Sequence, residues 1–304
     1  MTEAISSPGA ATVDPQDDKT PVVEFNDVSI AFELKPVLKN ISFSVERGQT
    51  LIILGPAGCG KSVLLKLANG LLAPDSGSIR IFGQEITTMP ERDLYALRAH
   101  IGMVFQESAL FDSLDVADNV AYRLHEEHVP EDQAHTRVVE ALKFVELEQA
   151  IAKFPSELSG GMRRRVSIAR AIISNPDLIL YDSPTGGLDP ITSTTIIELV
   201  MKQRDVSHTT SLLVTHRLQD AFTLATHRYD PEQGMKPIPK DGPEQAVDRY
   251  DAAHGMAPIP KNGPERGIDP GTKFLMLNEC HVVFHGATEE LVHSRDPWIR
   301  EFLD

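Results

Sequence analysis

Eight residues carry the clearest chemistry in this chain: Gly55-Pro56-Ala57-Gly58-Cys59-Gly60-Lys61-Ser62. They fit G-x-x-x-x-G-K-[ST], a loop that wraps the phosphates of a nucleotide. Its glycines let successive N–H groups turn inward, and a helix N-terminus behind it adds partial positive charge. Lys61 would reach the β- and γ-phosphates, and the Ser62 hydroxyl would hold Mg²⁺. Pro56, Ala57 and Cys59 fill variable positions, and Cys59 reads as a small filler with no redox role.

Such a loop works only between a strand and a helix. Residues 50–54 (TLIIL) supply the strand, and residues 63–72 show helical apolar spacing. At 304 residues the chain is long enough for one large domain or two small ones. Hydrophobic content of 41% and charged content of 24% suit a globular protein. A net charge of −15 argues against nucleic acid as the main partner. The two cysteines, Cys59 and Cys280, cannot build a disulfide framework, which suits a reducing compartment. No apolar run approaches the ~20 residues a membrane helix needs. Residues 1–21 lack the apolar centre of a signal peptide and read as a disordered tail.

Residues 22–32 and 41–46 alternate as strands of a small antiparallel sheet. Residues 78–82 and 101–105 read as further strands, the second ending at Gln106. Residues 114–154 turn helical and suggest a separate helical subdomain. After Leu158-Ser159-Gly160-Gly161-Met162 a helix runs to residue 173. Residues 178–182 are an apolar strand ending in Asp182, residues 191–201 a helix, and residues 211–215 a strand followed by His216. Strands alternating with helices imply an α/β fold with a mostly parallel sheet. Residues 228–271 break the rhythm. About a third are Pro or Gly, and two 21-residue repeats share 13 identical positions. Long loops of this kind are functional or disordered. Residues 273–277 and 281–284 then resume as strands, with helical segments to the end.

With the phosphate loop, Gln106, the LSGGM stretch, the Asp182 strand and His216 in this order, the chain resembles ATP-binding cassette (ABC) ATPases. The likeness spans residues 22–227 and 272–304, with the helical subdomain at about 107–155. The resemblance implies ATP and Mg²⁺ as cofactors. It implies a mainly parallel P-loop sheet with flanking helices, an antiparallel β subdomain and an α-helical subdomain. It further implies a homodimer with two ATP molecules sandwiched between subunits. Ser159, Gly160 and Gly161 would then contact the γ-phosphate held by the opposite subunit, and Asp189 would lie in the loop crossing the seam. Gln106 would touch Mg²⁺ and the attacking water, Asp182 would hold Mg²⁺, and His216 would bond the γ-phosphate. Phe32 lies where such cassettes place an aromatic against adenine, although a strand core residue gives the same pattern.

One position departs from the family. ABC ATPases place a glutamate after the Mg²⁺ aspartate to polarise water, and here Ser183 stands there. A hydroxyl is a poor base, and general-base catalysis is worth roughly 10²–10⁴-fold. Hydrolysis is therefore expected to be slow, or the chain is a nucleotide switch with little hydrolysis. A substitution introduced to trap ATP gives the same string.

Residues 105–114 (FQESALFDSL), 118–122 (DNVAY), 189–192 (DPIT) and 296–303 (DPWIREFL) are similar to the cassettes of Mla/Mce-type lipid transporters. That likeness implies two permease subunits, an MCE-domain lipid-binding protein and a STAS-like regulator as partners, and a place on the cytoplasmic face of the inner membrane. The repeat insert has no counterpart in the family. It reads as a surface linker, or as a docking arm presenting Tyr229/Tyr250, Met235/Met256 and Ile238/Ile259.

Overall fold

Three five-residue stretches, Thr50–Leu54, Leu178–Asp182 and Thr210–Val214, are mostly apolar and buried at every position. Continuous apolar strands of that kind belong in the middle of a parallel sheet covered on both faces. A computed structural model describes residues 20–239 and 267–304. Nearly all of the tail expected at 1–21 lies outside the described residues, as do Tyr250, Met256 and Ile259.

In chain order the elements are β1 (Val23–Phe32), β2 (Lys35–Val45), β3 (Thr50–Leu54), α1 (Lys61–Ala68), β4 (Ser76–Ile81), β5 (Gln84–Glu85), α2 (Glu91–Arg98) and β6 (Ile101–Val104). Then follow α3 (Val116–Glu126), α4 (Glu131–Phe144), α5 (Gly160–Ile172), β7 (Leu178–Asp182), α6 (Pro190–Ser207), β8 (Thr210–Val214) and α7 (Leu218–Thr226). The chain closes with β9 (His227–Asp230), β10 (Gly234–Pro237), β11 (Thr272–Asn278), β12 (His281–Ala287), α8 (Thr288–Val292) and α9 (Pro297–Leu303).

The main sheet has the order β12-β11-β3-β8-β7-β6. Its five strands from β11 to β6 run parallel, and β12 is an antiparallel edge. Strand alternation divides the core. Ile52, Leu54, Ile179, Tyr181 and Leu213 face α3–α7 in one apolar cluster. Leu51, Ile53, Leu178, Leu180 and Leu212 face the other way, toward α1, α2 and a second sheet of order β2-β1-β4-β5. The residues of α3 and α4 share the first cluster with the main sheet.

This topology positions the chemistry. In open parallel sheets, ligands bind outside the carboxyl ends of the strands. The phosphate loop leaves β3, His216 follows β8, Asp182 ends β7 and Gln106 follows β6, and these four strands are consecutive neighbours. Cross-strand bonds stitch the ends together: Ser183 N–H donates to Val214 O at 2.9 Å and Thr215 N–H to Ile53 O at 3.2 Å.

Two elements differ from the sequence reading. The helix expected over 63–72 ends at Ala68, because Gly70 adopts φ +63°. Its N–H donates to Leu67 O at 3.0 Å and that of Leu71 to Lys66 O at 2.8 Å, a Schellman stop. The segment that breaks the rhythm at 228 begins with the hairpin β9–β10, which packs on α6. Gly234 enters β10 from the turn at 231–233 with φ +73°, and Tyr229 and Met235 rest on the core. Arg204 of α6 lies beneath, donating to Leu224 O at 2.6 Å and His227 O at 2.8 Å and pairing with Asp205 and Asp269. At the base of the segment Gly267 N–H donates to Ile238 O at 2.8 Å.

Gly55 shows how tightly the loop is held. A Cβ there would press on the carbonyl oxygen of Leu277 in β11 and on Cys59, and the backbone sits at φ +146°. Gly55→Ala should destabilise the chain by roughly 3 kcal/mol, from the clash and the backbone conformation together. Chemical denaturation measures this, and a change below about 1 kcal/mol would show that β11 yields to the extra methyl.

Candidate active site

The phosphate loop turns tightly because three of its glycines lie at positive φ: Gly55, Gly58 and Gly60. Gly60 is also the N-cap of α1, and its Cα packs against Val37 and Leu38 of β2. No acidic residue occupies the first turn of α1, so the helix end keeps its partial positive charge. Lys61 is 9% exposed. Its ammonium donates to Gly55 O at 2.8 Å and Pro56 O at 2.6 Å, inside the loop's own curve. Cys59 Sγ lies 3.7 Å from that ammonium. Burial pushes the Cys59 thiol up, with the Lys61 charge pulling the other way, so the thiol form is favoured.

Ser62 Oγ donates to Asp182 Oδ1 at 2.8 Å, which joins the first turn of α1 to the end of β7. Hydroxyl and carboxylate oxygens suit a hard cation such as Mg²⁺. Among the described residues no cluster of three His, Cys, Asp or Glu could cage a metal alone. Mg²⁺ needs no such cage when phosphate oxygens and water complete its shell.

Ser183 follows directly, 8% exposed and in the left-handed region at φ +47°. That conformation costs a non-glycine residue roughly 1–2 kcal/mol. Gly186 lies against the side chains of Ser183 and Gln106, so these two candidates share one corner. Gln106 and His216 are both exposed, at the ends of β6 and β8. Phe32 is 43% exposed at the tip of the β1–β2 hairpin, which excludes the core reading. It pairs with Lys35, two residues from the Val37 that touches Gly60, so the aromatic stands on the strand pair flanking the loop.

The LSGGM stretch is placed elsewhere. Ser159 caps α5, accepting from Met162 N–H at 3.2 Å. The first turn of α5 also has no acidic residue. A Cβ on Gly161 would drive into Thr192 of α6, and Gly160 faces Leu188. Asp189 caps α6 through Thr192, whose N–H and hydroxyl donate at 3.0 and 2.6 Å. That hydroxyl and N–H hold the Asp189 carboxyl below the usual range. Ser159, Gly160, Gly161 and Asp189 thus form one exposed patch at two neighbouring helix N-termini. Among the described residues no hydrogen bond or ion pair joins this patch to the phosphate loop.

Sequence reasoning passed over a buried network behind His216. Asp220 is fully buried; it accepts from Thr185 Oγ1 at 2.5 Å and faces Arg217 Nε at 3.5 Å. Arg217 Nη1 donates to Ser193 Oγ at 2.6 Å. Burial pushes the Asp220 carboxyl up, against Thr185, Arg217 and His216. The network ties the loop after β7, the first turn of α6 and the His216 loop to one another. Its only sequence signal was a carboxylate on an apolar helix four residues after His216.

Sequence comparison agrees with this geometry. The ABC transporter family profile matches residues 38–186. The intermembrane phospholipid transport system ATP-binding protein MlaF of Escherichia coli K12 is 40% identical over 284 residues, spanning 93% of this chain and 88% of MlaF. The chain belongs to the ABC transporter family. It is an ATP-binding subunit of that family, an ATPase that couples hydrolysis to transport. MlaF of Haemophilus influenzae is 38% identical over 68% of this chain and 79% of its own length. A methionine import ATP-binding protein, MetN 2 of Bacillus cereus, is 41% identical over 65% of this chain and 59% of its own length. Among solved structures, the dimeric cassette MJ0796 in a post-hydrolysis state with ADP and Pi superposes with a TM-score of 0.66 at 25% identity, covering 87% of this chain and 98% of that one. CbiO1 of Clostridium perfringens, part of a transporter complex, gives 0.68 at 24% identity, covering 92% of this ABC ATPase and 94% of its own chain.

Proposed function

We propose that this ABC ATPase drives the movement of phospholipid-type lipids and works as a dimer with ATP held between subunits. The observation that carries the lipid assignment is coverage. The MlaF proteins of Escherichia coli and Haemophilus influenzae are matched over 88% and 79% of their own length, whereas a methionine importer of similar identity is matched over 59% of its own. The dimer follows from the split site. The phosphate loop lies on one patch and the Ser159–Asp189 patch on another, and the N-terminus of α5, whose first turn carries no acidic residue, suits a phosphate brought by a second copy.

In this reading residues 55–62 cradle the phosphates, with Lys61 exchanging the two loop carbonyls for phosphate oxygens. Phe32 stacks on adenine, and His216 donates to the γ-phosphate. Ser159, Gly160, Gly161 and Asp189 meet the γ-phosphate from the partner subunit. Mg²⁺ held by Ser62, Asp182 and Gln106 would neutralise phosphate charge. Gln106 orients the attacking water, and Ser183 occupies the position of a general base without supplying one.

Among the described residues no helix is long and apolar enough to cross a membrane, so transport needs partners. An exposed aromatic surface sits where α3 and its preceding loop meet α2. Phe111 and Tyr122 pack at 4.7 Å, and Arg123 covers Tyr95 at 4.9 Å. This surface is the proposed dock for one of two permease subunits. An MCE-domain lipid-binding protein and a STAS-like regulator complete the assembly, on the cytoplasmic face of the inner membrane.

Two measurements test the reading. With Mg·ATP the chain should double its mass in solution and stay doubled, because Ser183 slows breakdown of the sandwich. Ser159→Arg should abolish doubling while one copy still binds ATP; a monomer under all conditions would remove the dimer. A complex purified from membranes should carry phospholipid by mass spectrometry. Permeases found with an amino acid and no lipid would move the assignment to the importer class.

A second reading rests on Ser183 itself: a nucleotide switch that closes on ATP and turns over little. The Ser183→Glu experiment separates the two.

A further inference from the structure

We propose that Arg164 is a positioning residue for hydrolysis, a buried fork that holds the loops of Gln106 and Ser183 in fixed register with the helix beginning at Ser159. The proposal rests on the ATPase reading above and adds a part to the same site.

Three arginines follow LSGGM, and the fold sends them apart. Arg163 donates to Leu158 O at 2.6 Å, and Arg165 to the carbonyls of Val145 and Glu146 at 3.0 and 3.2 Å. Arg164 alone passes beneath the site and is 4% exposed. Its Nη1 donates to Phe105 O at 2.9 Å and Ser183 O at 3.4 Å. Its Nη2 donates to Gln106 O and, at 3.4 Å, to Gly186 O. One side chain therefore binds two carbonyls from the loop after β6 and two from the loop after β7.

Burying a cation is costly unless its donors are satisfied. Among the described residues no ion pair involves Arg164, and its Nε has no partner. Burial pulls its basicity down, offset in part by the charges of Asp182 and Glu107. A stability role would be met better by an apolar residue; what a guanidinium adds is a planar fork with donors in fixed directions. That fork spans the gap between two loops, and a lysine point charge cannot. The backbone of α5 is held by Val166, Ile168 and Ala169 in the core. A shift of the Ser159 end on meeting a partner's nucleotide would thus reach Gln106 and Ser183 through a short rigid path. The fork also contacts Ser183 O, where it secures the left-handed backbone from which residue 183 presents its side chain.

The test uses the full chain with Arg164→Lys, which keeps charge and loses the fork, and Arg164→Gln should the lysine variant fold poorly. The expected result is kcat lowered about tenfold or more with ATP affinity within about twofold, the pattern of an interaction that matters in the transition state. Amide hydrogen exchange on the nucleotide-free chain should rise together at 105–109 and 183–187 and stay unchanged at 55–62. An unchanged kcat per ATP-bound chain, exchange that rises in one loop only, or a general rise that includes 55–62 would overturn the proposal. A wild-type chain that never hydrolyses ATP would instead sink the ATPase reading, and the exchange measurement, made without ATP, would still decide the role of Arg164.

Discussion

Lys61→Ala should weaken ATP binding by about 10²–10³-fold. A charge-assisted bond to phosphate is worth roughly 1.5–3 kcal/mol, and this ammonium would serve two phosphates. The same group, 9% exposed, donates to the buried Gly55 O and to the O of exposed Pro56. Its removal leaves Gly55 O without that donor, a loss of roughly 1–3 kcal/mol, so the melting temperature should fall modestly beside the larger loss of affinity. Titration with a fluorescent ATP analogue, paired with a thermal melt, separates the two effects. Affinity that stays within about threefold would mean that the loop does not bind phosphate through Lys61.

Ser183→Glu should raise kcat by about 10²–10⁴-fold, the usual range for a positioned general base. The position is prepared for such a group. It follows Asp182, it is almost buried, and Arg164 donates to its carbonyl. A glutamate there would feel both burial and the Asp182 charge, and each raises a carboxyl pKa. The base form is the deprotonated one, so activity should appear as pH rises through that elevated pKa, giving an acid limb above the ordinary carboxylate range. Phosphate release across pH 5–9 would measure both. A rate equal to that of the wild type at every pH would show that the limit lies elsewhere and would favour the switch. The backbone at φ +47° is already adopted by serine, so the substitution adds no new conformational demand.

The chemistry of this chain was legible because its motifs fall where strands end. A short apolar run stopped by a polar functional group, as at Asp182 or His216, marks both a buried strand and the edge where ligands bind. What stayed hidden depended on long-range placement. Arg163, Arg164 and Arg165 are equivalent as a string, and only the crossing of α5 beneath the β6 and β7 loops buries the middle one. Phe32 carried two meanings until its 43% exposure removed one. The hairpin β9–β10 was masked by composition, because glycine and proline signal a loop when counted. Here Gly234 opens β10 directly after the turn at 231–233, and Pro237 sits at the last position of that strand. The early stop of α1 had a local signal in Asn69-Gly70, a pair suited to a helix C-terminus.

The hydrogen bond between Gly267 and Ile238 has a practical outcome. Residues 238 and 267, on either side of the segment 240–266, are joined by this one backbone clasp, with Arg204 anchoring Asp269 just beyond it. Lengthening the span between such a clasp's two sides costs only about 0.6 kcal/mol per doubling. A fluorescent domain or affinity handle spliced there would hang from a neck that is already shut, leaving the neighbouring strand beside the nucleotide cradle undisturbed.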